Sequence, residues 1–326
     1  MVLRLAIQRP NWPYKAPFRI SYQSKDYDDA VIVELRDGDL VGRGEAIGVS
    51  YHGETGESMS AEIGSIAASI EQGLSRDRLR ELLPPGGARN AVDCALWDLE
   101  AKRQGHPAWV LAGLQPLRPL YTDFTLSIGD VAEMAAAAQA SSNTRLKVKL
   151  SGAGDLERVR AVRTARPDAQ IIVDANQAWT IDHLRELVPA LAELRVLLIE
   201  QPLKVGEDDV LQDFTSPIPI CADESCQTVE SLSGLVGRYS HVNIKLDKTG
   251  GLTEALSLAN RAEAMGFKIM VGCMGGSSLS MAPAFLIGQR CEFVDLDGPL
   301  LLADDVPHAI LYDGDLMHPP KPELWG

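Results

Sequence analysis

RLKVKL (145–150), IIVDAN (171–176), VLLIEQP (196–202), IPICADES (218–225) and HVNIKLD (241–247) are short apolar runs that each carry charge late in the run. FTLSI (124–128) precedes them, and KIMVGCM (268–274) and EFVDLDG (292–298) follow, which makes eight such runs. Between them lie helical patterns such as LERVRAVRTA (156–165), IDHLRELVPALAEL (181–194) and LTEALSLANRAEAMG (252–266). Eight strands separated by helices predict a parallel (β/α)8-type barrel. A doubly wound open sheet is the alternative, but no Gly-rich fingerprint follows its first strand.

Upstream the pattern is different. Leu3, Leu5 and Ile7 alternate as in a half-buried strand, AVIVELR (30–36) reads as a second, and Asp37-Gly38-Asp39 turns into a third over 40–47. After residue 55 the chain becomes helical, most clearly in ARNAVDCALWDLEAKRQG (88–105), where Val92, Ala95, Leu96 and Leu99 share one face. Strands followed by helices without alternation predict a small α+β domain over residues 1–112. Residues 113–300 then form the barrel. The tail, 301–326, with Pro319, Pro320 and Pro322, is expected to lie across the surface and return to the first domain.

Composition excludes several functions. The 326 residues hold 31 Lys and Arg against 45 Asp and Glu, a formal charge of −14, which disfavours nucleic-acid binding because phosphate contacts need clustered cations. No apolar run approaches a membrane span. MVLRLAIQRPNWPYK (1–15) has no apolar core followed by a small-residue cleavage site. The five cysteines, 94, 221, 226, 273 and 291, are scattered and share no C-x-x-C spacing. A reduced cytoplasm is the expected compartment, and a homo-oligomer stays open.

In a barrel, polar residues at the C-terminal strand ends build the active site. Lys149, Asp174, Glu200, Asp223 and Lys245 are separated by 25, 26, 23 and 22 residues, one βα unit each. A charged side chain at the same point of successive units surrounds one mouth. Asp174, Glu200 and Asp223, three acids without His or Cys, suit a hard cation with oxygen ligands, Mg2+ before others. Lys147 and Lys149 lie two apart and point to one side. Crowded ammonium groups are expected to depress each other's pKa, which makes a lysine base. Lys245, four strands on, faces Lys149 across the barrel.

The order Lys-x-Lys, Asp, Glu, Asp, Lys, in LKVKL, VDANQAW, IEQPL, CADES and NIKLDKTGG, resembles the enolase superfamily, muconate-lactonising subgroup. That resemblance implies a (β/α)7β modified barrel with an α+β capping domain completed by the C-terminal tail. It also implies one Mg2+ per active site and abstraction of a proton α to a carboxylate through an ene-diolate. FVDLDGP, with Asp295 and Asp297 two apart and so expected on one face of a strand, looks like the Asp-x-Asp with which dipeptide epimerases hold the substrate's ammonium. The resemblance therefore points to an L-Ala-D/L-Glu epimerase of murein peptide metabolism. Lys149 and Lys245 would exchange the proton, and Lys147 would keep Lys149 neutral and hydrogen-bond the ene-diolate.

Lys25, in the loop ISYQSKDYDD (20–29), is placed to pair with an acidic substrate side chain, and Thr125 to hydrogen-bond the same end. Tyr51 and His52 are candidate lid residues. Gly275 and Gly276 after VGCM leave that wall of the pocket open. Other dipeptide specificities, an o-succinylbenzoate synthase, a muconate cycloisomerase and a non-catalytic barrel used for binding remain as alternatives.

Overall fold

The computed structural model describes residues 3–326, so Met1 and Val2 at the start of the expected 1–112 domain lie outside the described residues. The first strands are β1 (Arg4–Gln8), β2 (Asn11–Ile20), β3 (Gln23–Asp29), β4 (Val31–Asp37) and β5 (Leu40–Ala46). An antiparallel sheet of order β1-β4-β5 packs on the helix Gly87–Gln104. That helix ends at Gly105, whose φ of 67° closes it with a left-handed cap. Gly42 and Gly44 of β5 let the strand approach the helix backbone, since a Cβ at either would overlap the carbonyls of Ala95 and Ala91.

The segment read as a loop at 20–29 is largely strand β3, paired with β2 in a separate hairpin. β2 alternates, with Trp12, Tyr14, Phe18 and Ile20 half-buried on one face, but β3 is polar at nearly every position, which hides the strand in the sequence.

The barrel follows β6 (Leu120–Tyr121). Its strands are β7 (Phe124–Leu126), β8 (Arg145–Lys149), β9 (Gln170–Asp174), β10 (Val196–Glu200), β11 (Ile220–Ala222), β12 (His241–Ile244), β13 (Lys268–Val271) and β14 (Phe293–Val294). They form one curled parallel sheet in chain order, and Asp123 N donates to Val294 O at 2.7 Å where its two ends meet. All eight expected runs contain a strand. The gap after β10 holds only a 3-10 turn, Asp208–Asp213, where the other long gaps carry α-helices.

Strand alternation divides the barrel residues into two sets. Leu146, Val148, Ile171, Val173, Ile199, Val242, Ile244 and Val271 join the large cluster under the helices. Ile172, Leu198, Cys221, Met270 and Phe293 form a small inner core. The residues two positions later on three of these strands are Asp174, Glu200 and Asp223, so the inner column changes from apolar to acidic toward the mouth.

β15 (Tyr312–Asp313) pairs with β16 (Leu316–Met317), which in turn pairs with β6. The chain end reaches the helix Gly87–Gln104, where Trp325 Nε1 donates to Cys94 O at 3.0 Å and Gly326 N to Asp98 Oδ1 at 2.8 Å. The N-terminal sheet grips the barrel through buried acids. Asp247 Oδ1 accepts from Ile47 N and Gly48 N at 3.0 and 2.9 Å. Glu45 accepts from Ser277 N at 2.7 Å and from its hydroxyl.

Burial pushes the Glu45 carboxyl up to about 8, against the hydrogen bonds from Ser277. A carboxyl with a raised folded-state pKa favours the folded form most at low pH, and this advantage fades as pH rises from about 4.5 toward 8. Glu45→Gln, which mimics the protonated group, is therefore expected to gain thermal stability relative to the parent protein between pH 5 and pH 8. Melting curves of both proteins across that range test this, and parallel curves would refute it.

Candidate active site

The charged strand ends converge as the spacing requires. Lys149 pairs in register with Asp174, and Asp174 with Glu200. Lys147 Nζ, fully buried, lies 2.6 Å from Glu200 Oε2, 2.7 Å from Asp295 Oδ2 and 3.1 Å from Asp174 Oδ2. Lys149 Nζ donates to Asp174 Oδ2 at 2.6 Å and Lys245 Nζ to Asp223 Oδ2 at 2.8 Å. Gly272 makes room for Lys245, because a Cβ there would stand 3.0 Å from the lysine Cε.

The electrostatics correct the expectation that crowding depresses the pKa of Lys147. Burial alone would lower Lys147, but Asp295, Glu200 and Asp174 outweigh it and hold its pKa well above the usual lysine range. For Lys245, burial is likewise outweighed by Asp223 and then Glu200. Carboxylates outnumber ammonium groups around Lys147 and Lys245, so attraction dominates over like-charge crowding there. Lys147 also lies beneath the cavity, outside its wall.

Lys149, Asp223, Lys245, Asp295, Asp297 and Thr125 all line one cavity of about 700 Å³, counted to its open mouth. Strands β8 and β12, which carry or lead into the two lysines, are four apart in the eight-stranded sheet. Asp295 and Asp297 do not lie on a strand as expected, because β14 ends at Val294. Asp297 instead precedes the helical turn Gly298–Leu301 and accepts from Thr125 N at 2.6 Å, which aims it inward. Burial and then the adjacent Asp295 raise the Asp297 pKa. Thr125 Oγ1 is 3.5 Å from Asp295 Oδ1, so this threonine braces the acid pair.

Among the described residues no three acidic, His or Cys side chains enclose a common point, because lysine ammonium groups stand between the acids. The donor set nevertheless fits a hard cation. Asp174, Glu200 and Asp223 offer only oxygen and are buried, and Glu200 Oε2 makes no hydrogen bond despite the nearby Lys147.

Several partners escaped the sequence reading. Lys248, 2% exposed, donates to Asp223 Oδ1 at 2.6 Å and to Asn243 O at 3.0 Å. Asn176, at φ 41°, accepts from Lys149 at 3.2 Å, and Asn243 donates to Glu200 at 2.8 Å. Gln201, at φ 32°, accepts from Asp223 N and Ser225 N. These follow or precede the charged residues within the quoted motifs, which is the signal that could have found them. Tyr51 lines the cavity and accepts from Gln227 at 3.1 Å, whereas His52 is not part of the wall. Gly275 and Gly276 do not leave the wall open, since Asp28 and Tyr14 fill the space beside Gly275. Lys25 lines the cavity with its Nζ 3.4 Å from Asp28 Oδ1.

A barrel of this topology with lysines across one mouth and acids between them defines a class. The family description "Mandelate racemase / muconate lactonizing enzyme, N-terminal domain" matches residues 3–113, and "Enolase C-terminal domain-like" matches 130–313. The chain belongs to this family of the enolase superfamily, as the strand motifs implied. It is 44% identical to the L-Ala-D/L-Glu epimerase of Escherichia coli (strain K12) over 311 residues, covering 94% of this chain and 97% of the relative. It is also 44% identical to an N-acetyl-D-glutamate racemase of Pseudoalteromonas sp, covering 91% and 95%.

An Agrobacterium tumefaciens enolase family member with homology to dipeptide epimerases, solved with sodium and L-Ala-L-Glu, superposes with a TM-score of 0.96 at 46% identity, covering 100% and 99%. A Methylococcus capsulatus dipeptide epimerase complexed with Mg and L-Arg-D-Lys gives 0.91 at 34%, with the same coverage.

Removing Lys248 leaves Asp223 with a buried, half-compensated charge. Lys248→Met is expected to cost about 3 kcal/mol of folding stability. Urea unfolding reads this, and a loss below about 1 kcal/mol would place the lysine outside the supporting network.

Proposed function

We propose that the chain is a Mg2+-dependent dipeptide epimerase, most closely an L-Ala-D/L-Glu epimerase, that inverts the α carbon of the C-terminal residue by a 1,1-proton transfer. The observation that carries this reading is a single cavity lined by Lys149 and Lys245 from opposite parts of the barrel and by the Asp295–Asp297 pair. One lysine, neutral, takes the α proton on its Nζ and leaves the substrate as an ene-diolate. The other, as an ammonium, returns a proton to the opposite face, so the configuration inverts and the charges balance. Lys147, beneath the cavity, keeps its positive charge under the developing anion.

Asp174, Glu200 and Asp223 hold the metal. When bound, Mg2+ takes up charge that develops on the substrate carboxylate and competes with the lysines for these acids. Asp295 and Asp297, repelling one another, are relieved by the N-terminal ammonium of a dipeptide. An N-acylated amino acid, the kind of compound named for the Pseudoalteromonas relative, carries no ammonium for them. Lys25, the cation of the wall outside the lysine pair, faces the substrate's side chain, with Thr125 bracing the far wall.

In this reading residues 1–112 cap the site, 113–300 carry the chemistry and 301–326 tie the two together. Murein peptide metabolism in the cytoplasm supplies the substrate. The five free thiols suit a reducing compartment, and among the described residues no helix is long and apolar enough to cross a membrane.

Incubating the protein with Mg2+ and a dipeptide library in deuterated water is expected to add one mass unit to L-Ala-L-Glu and L-Ala-D-Glu. Lys149→Met and Lys245→Met should each abolish net epimerisation, with one variant still exchanging the α proton of a single epimer. Full epimerisation by both variants would overturn the two-base assignment. Chelation of the metal should stop turnover, and added Mg2+ should restore it.

A further inference from the structure

The cavity's distal cation is not free. Asp28 on β3 is fully buried, and Lys25, on the same strand, is its only cationic partner among the described residues. Asp28 is fixed independently of that lysine. Tyr14 Oη donates to its two oxygens at 2.9 and 3.0 Å, and Gly276 N donates to Oδ2 at 2.9 Å. Gly275 stands at φ 104°, and a Cβ there would overlap Asp28 Oδ2. A glycine in a conformation that only glycine adopts easily thus makes room for one buried acid beside the pocket.

Lys25 is anchored less firmly. Its Nζ sits 3.4 Å from Asp28 Oδ1, at the long end of a hydrogen bond, and its side chain remains 21% exposed toward the cavity it lines. Burial raises the Asp28 pKa, while Lys25, Tyr14 and Gly276 pull it back. Any anionic substrate side chain reaching Lys25 must share the ammonium with a carboxylate already in place.

We propose that Asp28 is a specificity-determining positioning residue: it holds and partly neutralises Lys25, and so reduces the pocket's preference for acidic over neutral C-terminal residues. The inference rests on the dipeptide-epimerase reading and refines its substrate class. With Asp28 in place, the distal end carries a nearly neutral ion pair, which accepts dipeptides with uncharged side chains alongside Glu. Without its charge, the same end becomes a cationic site. Asp28 touches none of the lysines or acids that perform the proton transfer, so the effect falls on binding of the side chain.

The test is Asp28→Asn, which keeps an acceptor for Gly276 while removing the charge. Rates of epimerisation are measured for L-Ala-L-Glu and for L-Ala-L-Gln, which differ only in the terminal group. The ratio of their kcat/KM values is expected to rise about threefold or more in the variant, through a lower KM for the Glu substrate with kcat unchanged. An increase that disappears when Lys25 is also changed to Met would assign the effect to the Lys25–Asp28 pair.

A ratio that stays the same or falls in a folded variant overturns the proposal. Should Asp28→Asn fail to fold, Asp28→Ser repeats the test with a smaller acceptor. Failure of both to fold would make Asp28 a structural group and likewise overturn it. Parent protein inactive on every dipeptide would sink the proposed function, whereas an active parent with an unmoved ratio sinks only the role of Asp28.

Discussion

The structure depends on neutralising a buried ring of acids. Asp174, Glu200, Asp223 and Asp295 project into a barrel whose lower interior is filled by Ile172, Leu198, Cys221, Met270 and Phe293. Water cannot solvate the charges there, and an uncompensated buried carboxylate is costly. Lys147, Lys149, Lys245 and Lys248 therefore serve two ends. They make the acidic mouth compatible with folding, and two of them, Lys149 and Lys245, line the cavity above it. The same attraction that stabilises the ring keeps Lys147 and Lys245 charged, so the proposed chemistry needs a second source of positive charge among the acids. A divalent cation bound by oxygen meets that need.

Around this ring the protein uses polar groups to fix the acids rather than to hydrate them. Gln201 and Asn176 adopt left-handed backbone at the ends of β10 and β9, where the chain turns out of the barrel. Their side chains then reach back to the Asp223 main chain and to the Lys149 ammonium. Strained backbone at these positions is offset by the bonds it permits. The N-terminal sheet and the C-terminal tail close the remaining side. Glu45, Asp247 and Trp325 form buried hydrogen bonds between segments far apart in sequence, so the hairpin that carries Lys25 is held against the barrel wall at Gly276.

Much of this was legible in the chain. The eight strands and the convergence of Asp174, Glu200, Asp223, Lys149 and Lys245 on one mouth could be read because a β-strand alternates with a period of two and a βα unit repeats every 20 to 30 residues. The β3 half of the hairpin was not legible, since QSKDYDD is polar at nearly every position, although its partner β2 alternates with Trp12, Tyr14, Phe18 and Ile20 on one face. Asp28 is one of three acids within residues 20–29, yet it is buried, and nothing in the local sequence distinguishes it from exposed Asp26. Lys248 was hidden for a different reason. It lies within a helical turn after β12, where a lysine is ordinarily a solvated cap.

The expectation about lysine pKa failed for a general reason. Sequence spacing shows which groups lie on one strand, and Lys147 and Lys149 are indeed two apart. It does not show what faces them from other strands. Asp295 meets Lys147 from 148 residues away, and that contact, together with Glu200 and Asp174, reverses the sign of the shift.

The sequence by itself therefore determined the barrel and the convergence of the charged ends of β8 to β12 on one mouth, because these follow from local periodicity. Only the tertiary structure decided how the charges balance, how the pocket wall at Gly275 is filled and which partner Lys25 keeps. Those depend on distances between segments remote in sequence, and electrostatic and steric interactions are set by distance in space.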